Sequence, residues 1–417
     1  MDSSTYPVWT LLPFPALVLA IAILPVVRPH LWEKPAFQGL VTALCAVPVT
    51  VFALLSGRAD AVAHASTGYF SFVITLGALY VTSGGICLLG DLEATPRVNL
   101  AFLLLGSVLA SVIGTTGASM LLIRPLLRTN QQREHRAHLV PFFILAVANA
   151  GGLLTPLGDP PLLVGYITGV PFFWTLRLLP LWFVYVAFFV GTFYIVDRRA
   201  YAKETQAALQ RDRAELEPLS VLGQRNIAWL LAVVPAALLP EGYREAAMLV
   251  ISLGSYFGTP REIHAQNGFS WAPIRDVAII FAGLFLCLGP IEVTLAKAAP
   301  SLPMHAAWQL FWGSGLLSSV LDNAPTYTAF SALARGLGGS HALVAGIDPI
   351  KLAAVSAGSV VMGATTYIGN GPNLMIKAVA EREGVVMPSF LRYAGFAFSM
   401  MLVPHAVTTL AFWLLER

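Results

Sequence analysis

Apolar runs of membrane-spanning length recur from one end of this chain to the other, and that recurrence restricts what it can fold into. Leu11 to Val27, Gly39 to Leu55, Phe70 to Leu89, Leu178 to Val196 and Gly395 to Leu415 each approach the roughly 20 residues a helix needs to cross hydrocarbon. Ile227 to Leu239, Ala246 to Phe257 and Val277 to Leu288 are shorter candidates. With 57% hydrophobic and 11% charged residues and a mean hydropathy of +0.72, a soluble domain is excluded. The expectation is an all-α polytopic membrane protein in contact with the lipid bilayer.

The opening MDSSTYPVW lacks a basic head and a small-residue cleavage site, so the first apolar run is expected to remain as a membrane helix. Cys45, Cys87 and Cys287 fall in apolar segments without paired spacing, which argues against a disulfide framework or a thiolate metal site. The net charge of +3 is spread over loops and carries no nucleic-acid signal. No nucleotide-binding loop or hydrolase nucleophile pattern occurs, so neither an enzyme nor a cofactor is expected.

Two aspartates stand at break points of an internally repeated pattern. Leu105 to Pro125 aligns with Gly315 to Leu333, placing Ser111 on Ser319 and Gly114-Thr115 on Asp322-Asn323. Each segment is followed by a second break, at Asn149 to Pro161 and at Ala357 to Asn373. A charge inside hydrocarbon costs a few kcal/mol or more, so Asp159 and Asp322 are functional candidates by default.

Eighteen of the 25 Lys and Arg residues fall in one set of alternating loops, which the positive-inside rule assigns to the cytoplasm. Arg97 and Arg128 both belong to that set, so Val98 to Leu127 is expected to enter and leave from the cytoplasm as a re-entrant hairpin turning at Gly114-Thr-Thr-Gly117. Ala307 to Arg335 is its counterpart from outside, with its tip at Asp322-Asn-Ala-Pro325. The segments after them read as helices interrupted near the membrane midplane, and paired discontinuities in oppositely oriented halves mark the sites of secondary transporters. The predicted divisions are an extra helix over 1–37, a first inverted repeat over 38–197, a cytoplasmic linker over 198–226 and a second inverted repeat over 227–417. Ile291 to Met304 reads as an amphipathic connector, and Trp32, Trp174, Trp182, Trp271, Trp308 and Trp312 as interfacial anchors.

The tip at Asp322 and Asn323 offers a carboxylate, an amide and the Thr326 hydroxyl, oxygen ligands that suit a hard cation such as Na+. Asp159 offers the same chemistry from the first half. An aspartate in low dielectric can hold a proton in one state and release it when Na+ arrives, the simplest basis for exchange. Further candidates are Thr115, Thr116, Ser119, Asn149, Thr155, Thr365, Thr366, Asn370 and Asn373, whose hydroxyls and amides, with half-helix N-termini, are also receptors for a bound carboxylate. No arginine lies at a break point. Exchange of Na+ for H+ is therefore the first reading and coupled uptake of citrate or another small carboxylate the second. His405 is weighed between a proton-linked role and packing, while His135 and His138 are expected on a solvated loop.

The strings DNAPT at 322–326, NAGGLLTPLGD at 149–159 and MGATTYIGNGPNLMIKA at 362–378 resemble the ion transporter superfamily, in particular its citrate-transporter-like and NhaD-type sodium:proton antiporter branches. The resemblance covers nearly all of residues 36–415. It implies a homodimeric elevator transporter of the inner membrane, with a scaffold holding the dimer and a transport domain built from the two hairpins and two interrupted helices. Where NhaD-type antiporters place an Asp-Asn pair in the first hairpin, this chain has Gly114-Thr115-Thr116, and Asp159 is followed by Pro160-Pro161.

Overall fold

The computed structural model describes residues 6–339 and 341–416; the leader reading rests partly on residues 1–5, outside that range. The helices in chain order are α1 Pro13–Val27, α2 Pro29–Trp32, α3 Pro35–Leu55, α4 Ala59–Gly84, α5 Pro96–Ile113, α6 Thr115–Thr129, α7 Leu139–Ala146, α8 Pro160–Ile167, α9 Leu179–Tyr201 and α10 Gln206–Ala214. They continue with α11 Arg225–Ala237, α12 Tyr243–Gly258, α13 Arg261–Gln266, α14 Ala272–Ala298, α15 Ala307–Ser318, α16 Asn323–Gly336, α17 Pro349–Val361, α18 Gly371–Arg382 and α19 Phe390–Leu415. Among the described residues, seven helical segments are long and apolar enough to cross a membrane, and the chain is an all-α polytopic membrane protein. Leu40, Leu44, Val47 and Val51 form an exposed apolar row at helical spacing along α3, a face suited to lipid.

Local sequence sets the ends of the elements that matter. Thr95 caps α5 by accepting the Val98 N–H at 3.3 Å, and Pro96 supplies a first helical residue that needs no amide partner. The α5–α6 turn falls at Gly114, whose φ of +82° is costly for any residue with a Cβ. The α15–α16 turn spans 319–322, and α16 starts at the Asp322 cap.

The two ends of the α5–α6 pair lie side by side. Asn99 and Asn130 exchange amide hydrogen bonds at 2.9 and 2.7 Å, and Asn99 also donates to Asp197 at 3.0 Å. The segment between α9 and α11 packs at the same end. β1 Cys87–Leu89 pairs antiparallel with β2 Ser220–Leu222, with Leu88 opposite Val221. Cys87 is thus a strand residue rather than part of an apolar helix.

Several expectations require correction. Residues 291–298, read as part of an amphipathic connector, are the last turns of α14, because Glu292 and Lys297 are the only charged residues in a run that otherwise continues the helix. His138 is not a solvated side chain: its Nε2 lies 2.9 Å from Asp197 Oδ1. Trp174 is buried, Trp182 donates to the Gly151 carbonyl at 3.3 Å, and Trp312 donates to Thr409 at 2.9 Å, so these three serve internal packing. His405 sits among Tyr185, Phe311 and Trp312 with Nδ1 2.7 Å from the Tyr185 hydroxyl, a packed and hydrogen-bonded position.

Candidate functional site

Asp159 occupies the N-cap of α8. A capping aspartate ordinarily accepts backbone N–H groups from the first turn, but Pro160 and Pro161 fill the first two positions and have none to give. Its carboxylate is left for side chains. Oδ1 accepts the Thr115 hydroxyl at 2.8 Å and the Asn370 amide at 3.3 Å, and Oδ2 accepts the Asn323 amide. These donors come from the α6 start, the α18 start and the α16 start, so both hairpin turns and both chain breaks meet at one buried carboxylate.

A ladder of amides extends from it. Asn370 Nδ2 also faces the Asn149 side-chain oxygen at 3.1 Å. Asn149 in turn donates to Asn373 Oδ1 at 2.9 Å, and Asn373 donates to the carbonyls of Gly363 and Thr366, each at 2.9 Å. The two breaks are alike in detail. Thr155 donates to the Ser111 carbonyl, and Thr366 donates to the Ser319 carbonyl at 2.6 Å. A Cβ on Gly152 would stand 2.7 Å from Thr115 Cγ2, and one on Gly369 would stand 2.6 Å from the Gly363 carbonyl, so bare backbone is needed where the breaks fold back on themselves.

Of the residues singled out from the sequence, the structure thus joins Thr115, Asn149, Asp159, Asn323, Asn370 and Asn373 in one network. Asp322 does not share a hydrogen bond with Asp159; its Oδ1 caps α16 by accepting the Ala324 N–H at 3.2 Å. Thr326 donates back to the Asp322 carbonyl at 3.1 Å. Thr365 lies 3.6 Å from Met401 sulfur, and Thr116 is half-buried at the α6 start. Ser119 Oγ and Asn323 Oδ1 are buried without a hydrogen-bond partner among the described residues. Leaving such an atom unsatisfied costs about 1–3 kcal/mol, which suits a place where a ligand or ion comes and goes.

Neither Asp159 nor Asp322 pairs with a cationic side chain among the described residues. Positive potential comes from backbone instead. The helices α6, α8, α16 and α18 all begin at this network, and each helix N-terminus carries the equivalent of about half an elementary charge.

Metal-ligating types gather elsewhere, at Glu134, His135 and Glu204. Burial pushes the Glu204 carboxyl up, but the backbone N–H groups of Glu134 and His135 and the Arg133 guanidinium outweigh it and hold the group below the usual glutamate range. Its oxygens are committed to those donors, which makes a poor cation site. Sequence reasoning passed over Arg133, whose Nη1 is 2.7 Å from Asp197, because its surroundings look like an ordinary basic loop.

The family model described as "Putative citrate transport" matches residues 3–414. No curated protein matches the chain. A membrane-embedded helical protein whose broken helices converge on a buried polar network, matched over nearly its full length by that family, is a secondary transporter rather than an enzyme, and the chain belongs to the citrate-transporter-like family of the ion transporter superfamily.

Proposed function

We propose that this protein transports citrate or a related small carboxylate coupled to sodium ions or protons. The observation that carries this reading is the convergence of four helix N-termini on the network around Asp159. Four half-charges amount to roughly two positive charges, enough to attract an anion without an arginine. The two ionised aspartates offset about the same amount. A carboxylate therefore binds well only when Na+ or H+ neutralises Asp159 or Asp322, which makes binding of ion and substrate interdependent. The orphaned oxygens of Asn323 and Ser119, with Thr115 and Asp159, supply oxygen ligands for that ion.

The alike geometry of Thr155 with Ser111 and Thr366 with Ser319 supports two inverted repeats over 38–197 and 227–417, joined by the linker at 198–226 and preceded by an extra helix within 1–37. In this reading the hairpins α5–α6 and α15–α16, with the broken segments around α8 and α18, move as a transport domain against a scaffold that includes α3, α4, α12 and α14. The protein acts as a homodimer in the inner membrane.

Sodium:proton exchange is the second reading, favoured by the lack of a cationic side chain paired with either aspartate among the described residues. Purified protein in vesicles separates the two. Labelled citrate accumulating under an inward Na+ or H+ gradient is the expected result. Na+-dependent proton movement that needs no carboxylate would establish the second reading instead, and the absence of both fluxes would refute both.

A further inference from the structure

A second polar space lies apart from the Asp159 network, and an unclaimed carboxylate faces it. It is a cavity of about 240 Å³ between α4, α12 and α14, lined by His64, Ser71, Arg244 and Glu292 among others. That volume has room for several water molecules. Arg244 contributes little free charge there, because its guanidinium is held 2.7 Å from Glu245 Oε1 and donates to Ser71 at 2.8 Å. Glu292, half-buried in the membrane helix α14, makes no hydrogen bond or ion pair among the described residues.

Helix chemistry accounts for the opening. Pro290 has no N–H to give the Leu286 carbonyl, and a Cβ on the neighbouring Gly289 would meet only the Tyr6 hydroxyl, at 3.7 Å. The groups facing Glu292 are few. His64 from α4 and Arg335 from α16 are the charged groups that act on it, and Tyr6, Glu241 and Arg244 share the cavity. Against the remaining sides of α14, α1 carries no ionisable residue and α3 only Cys45.

Phe285 and Leu288 line the cavity and also line a space of about 10 Å³ together with Ala324, Pro325 and Thr328 from the first turns of α16, the helix that Asp322 caps. Ten cubic ångströms is about the minimum for one water, so these two side chains form a constriction. Gly68 permits it, since a Cβ there would press on the Phe285 ring at 3.2 Å.

We propose that this cavity is a proton antechamber in which Glu292 relays protons to the hairpin-tip carboxylate, with Phe285 and Leu288 as the barrier between them. A hydronium in the cavity gives its proton to a Glu292 oxygen, leaving water behind and cancelling the carboxylate's charge. When the barrier opens the proton leaves through water to the Asp322 carboxylate, and Glu292 regains its charge. A carboxylate without a hydrogen-bond or ion-pair partner, facing a space with room for water, is suited to taking up and releasing a proton. The inference rests on the reading above in taking protons as the coupling ions and Asp322 as the acceptor.

The full-length protein in vesicles tests it in two ways. A hydrophobic carbodiimide, which modifies protonated carboxyls, should label Glu292 increasingly as the pH falls, read by mass spectrometry. Glu292→Gln should lower proton flux about a hundredfold and flatten its pH profile, Glu292→Asp should restore much of it, and Phe285→Ala should raise the proton leak. A Glu292 that is never labelled, or a Glu292→Gln protein with the parent flux and pH profile, overturns the antechamber. A parent protein that moves no protons but labels normally at Glu292 refutes proton coupling while upholding protonation of this group.

Discussion

Replacing Asp159 by Asn separates charge from shape at a single position. The new amide must present its NH2 to one side, and facing Asn323 it would meet another NH2. Asn323 can resolve that by turning its amide, because its Oδ1 has no partner to lose. The Asp159→Asn protein should therefore melt within about 1 kcal/mol of the parent, whereas coupled uptake should fall about a hundredfold. Asp322→Asn is a complementary case. Asparagine caps helices as well as aspartate does, so α16 should keep its start and any loss of uptake reports the charge. Detergent-solubilised thermal melts alongside initial uptake rates in vesicles check both, and a parallel loss of stability and uptake would mean that the carboxylates act through the fold.

At the scale of elements, the α5–α6 hairpin is fastened at its open end and polar at its turn. Arg133 bridges Asp197 on α9 and Glu204 beyond it, while Asn99 and Asn130 hold the two arms together. Removing one partner of a buried ion pair leaves the other charge without compensation. Asp197→Asn is expected to destabilise the protein by about 3–5 kcal/mol, seen as a lowered melting temperature. A melting temperature unchanged from the parent would show that the cluster is dispensable. Glu204 adds a pH dependence at the same place. Its folded carboxyl titrates below the ordinary glutamate range, so its contribution is complete above that range and is lost as the pH falls from there through the lower folded value.

Across the whole molecule, the charge bias of the loops makes a prediction about sidedness that hairpin geometry sharpens. Cysteines placed at 128 and 335, with Cys45, Cys87 and Cys287 replaced by alanine, should react with impermeant reagents from opposite sides of the membrane. Labelling of both from one side would eliminate the oppositely oriented hairpins. The position of Arg128 beside the Gly90 carbonyl, at the end of the bundle that carries the β1–β2 pair, places it with the segment between α9 and α11. Arg335 instead donates to the Ala345 carbonyl in the connection before α17.

What the sequence determined by itself was the class of molecule, the break points and the residue types at them. These follow from local rules: span-length apolar runs make membrane helices, and Gly, Pro and Asn clusters interrupt them wherever they occur. Asp159 could be picked out because a carboxylate in an apolar run is costly in any fold. Only the tertiary structure decided that Asp159 rather than Asp322 is the hub. That outcome depends on which donors arrive from residues 44, 164 and 211 positions away, and on two prolines that withhold the local ones. Glu292 was legible as a residue but not as a feature, since a lone acid near a helix end reads as a connector until the neighbouring helices leave a cavity in front of it. His138 and Arg133 escaped for the converse reason: a basic loop looks solvated until Asp197 and Glu204, far along the chain, fold over it and remove the water.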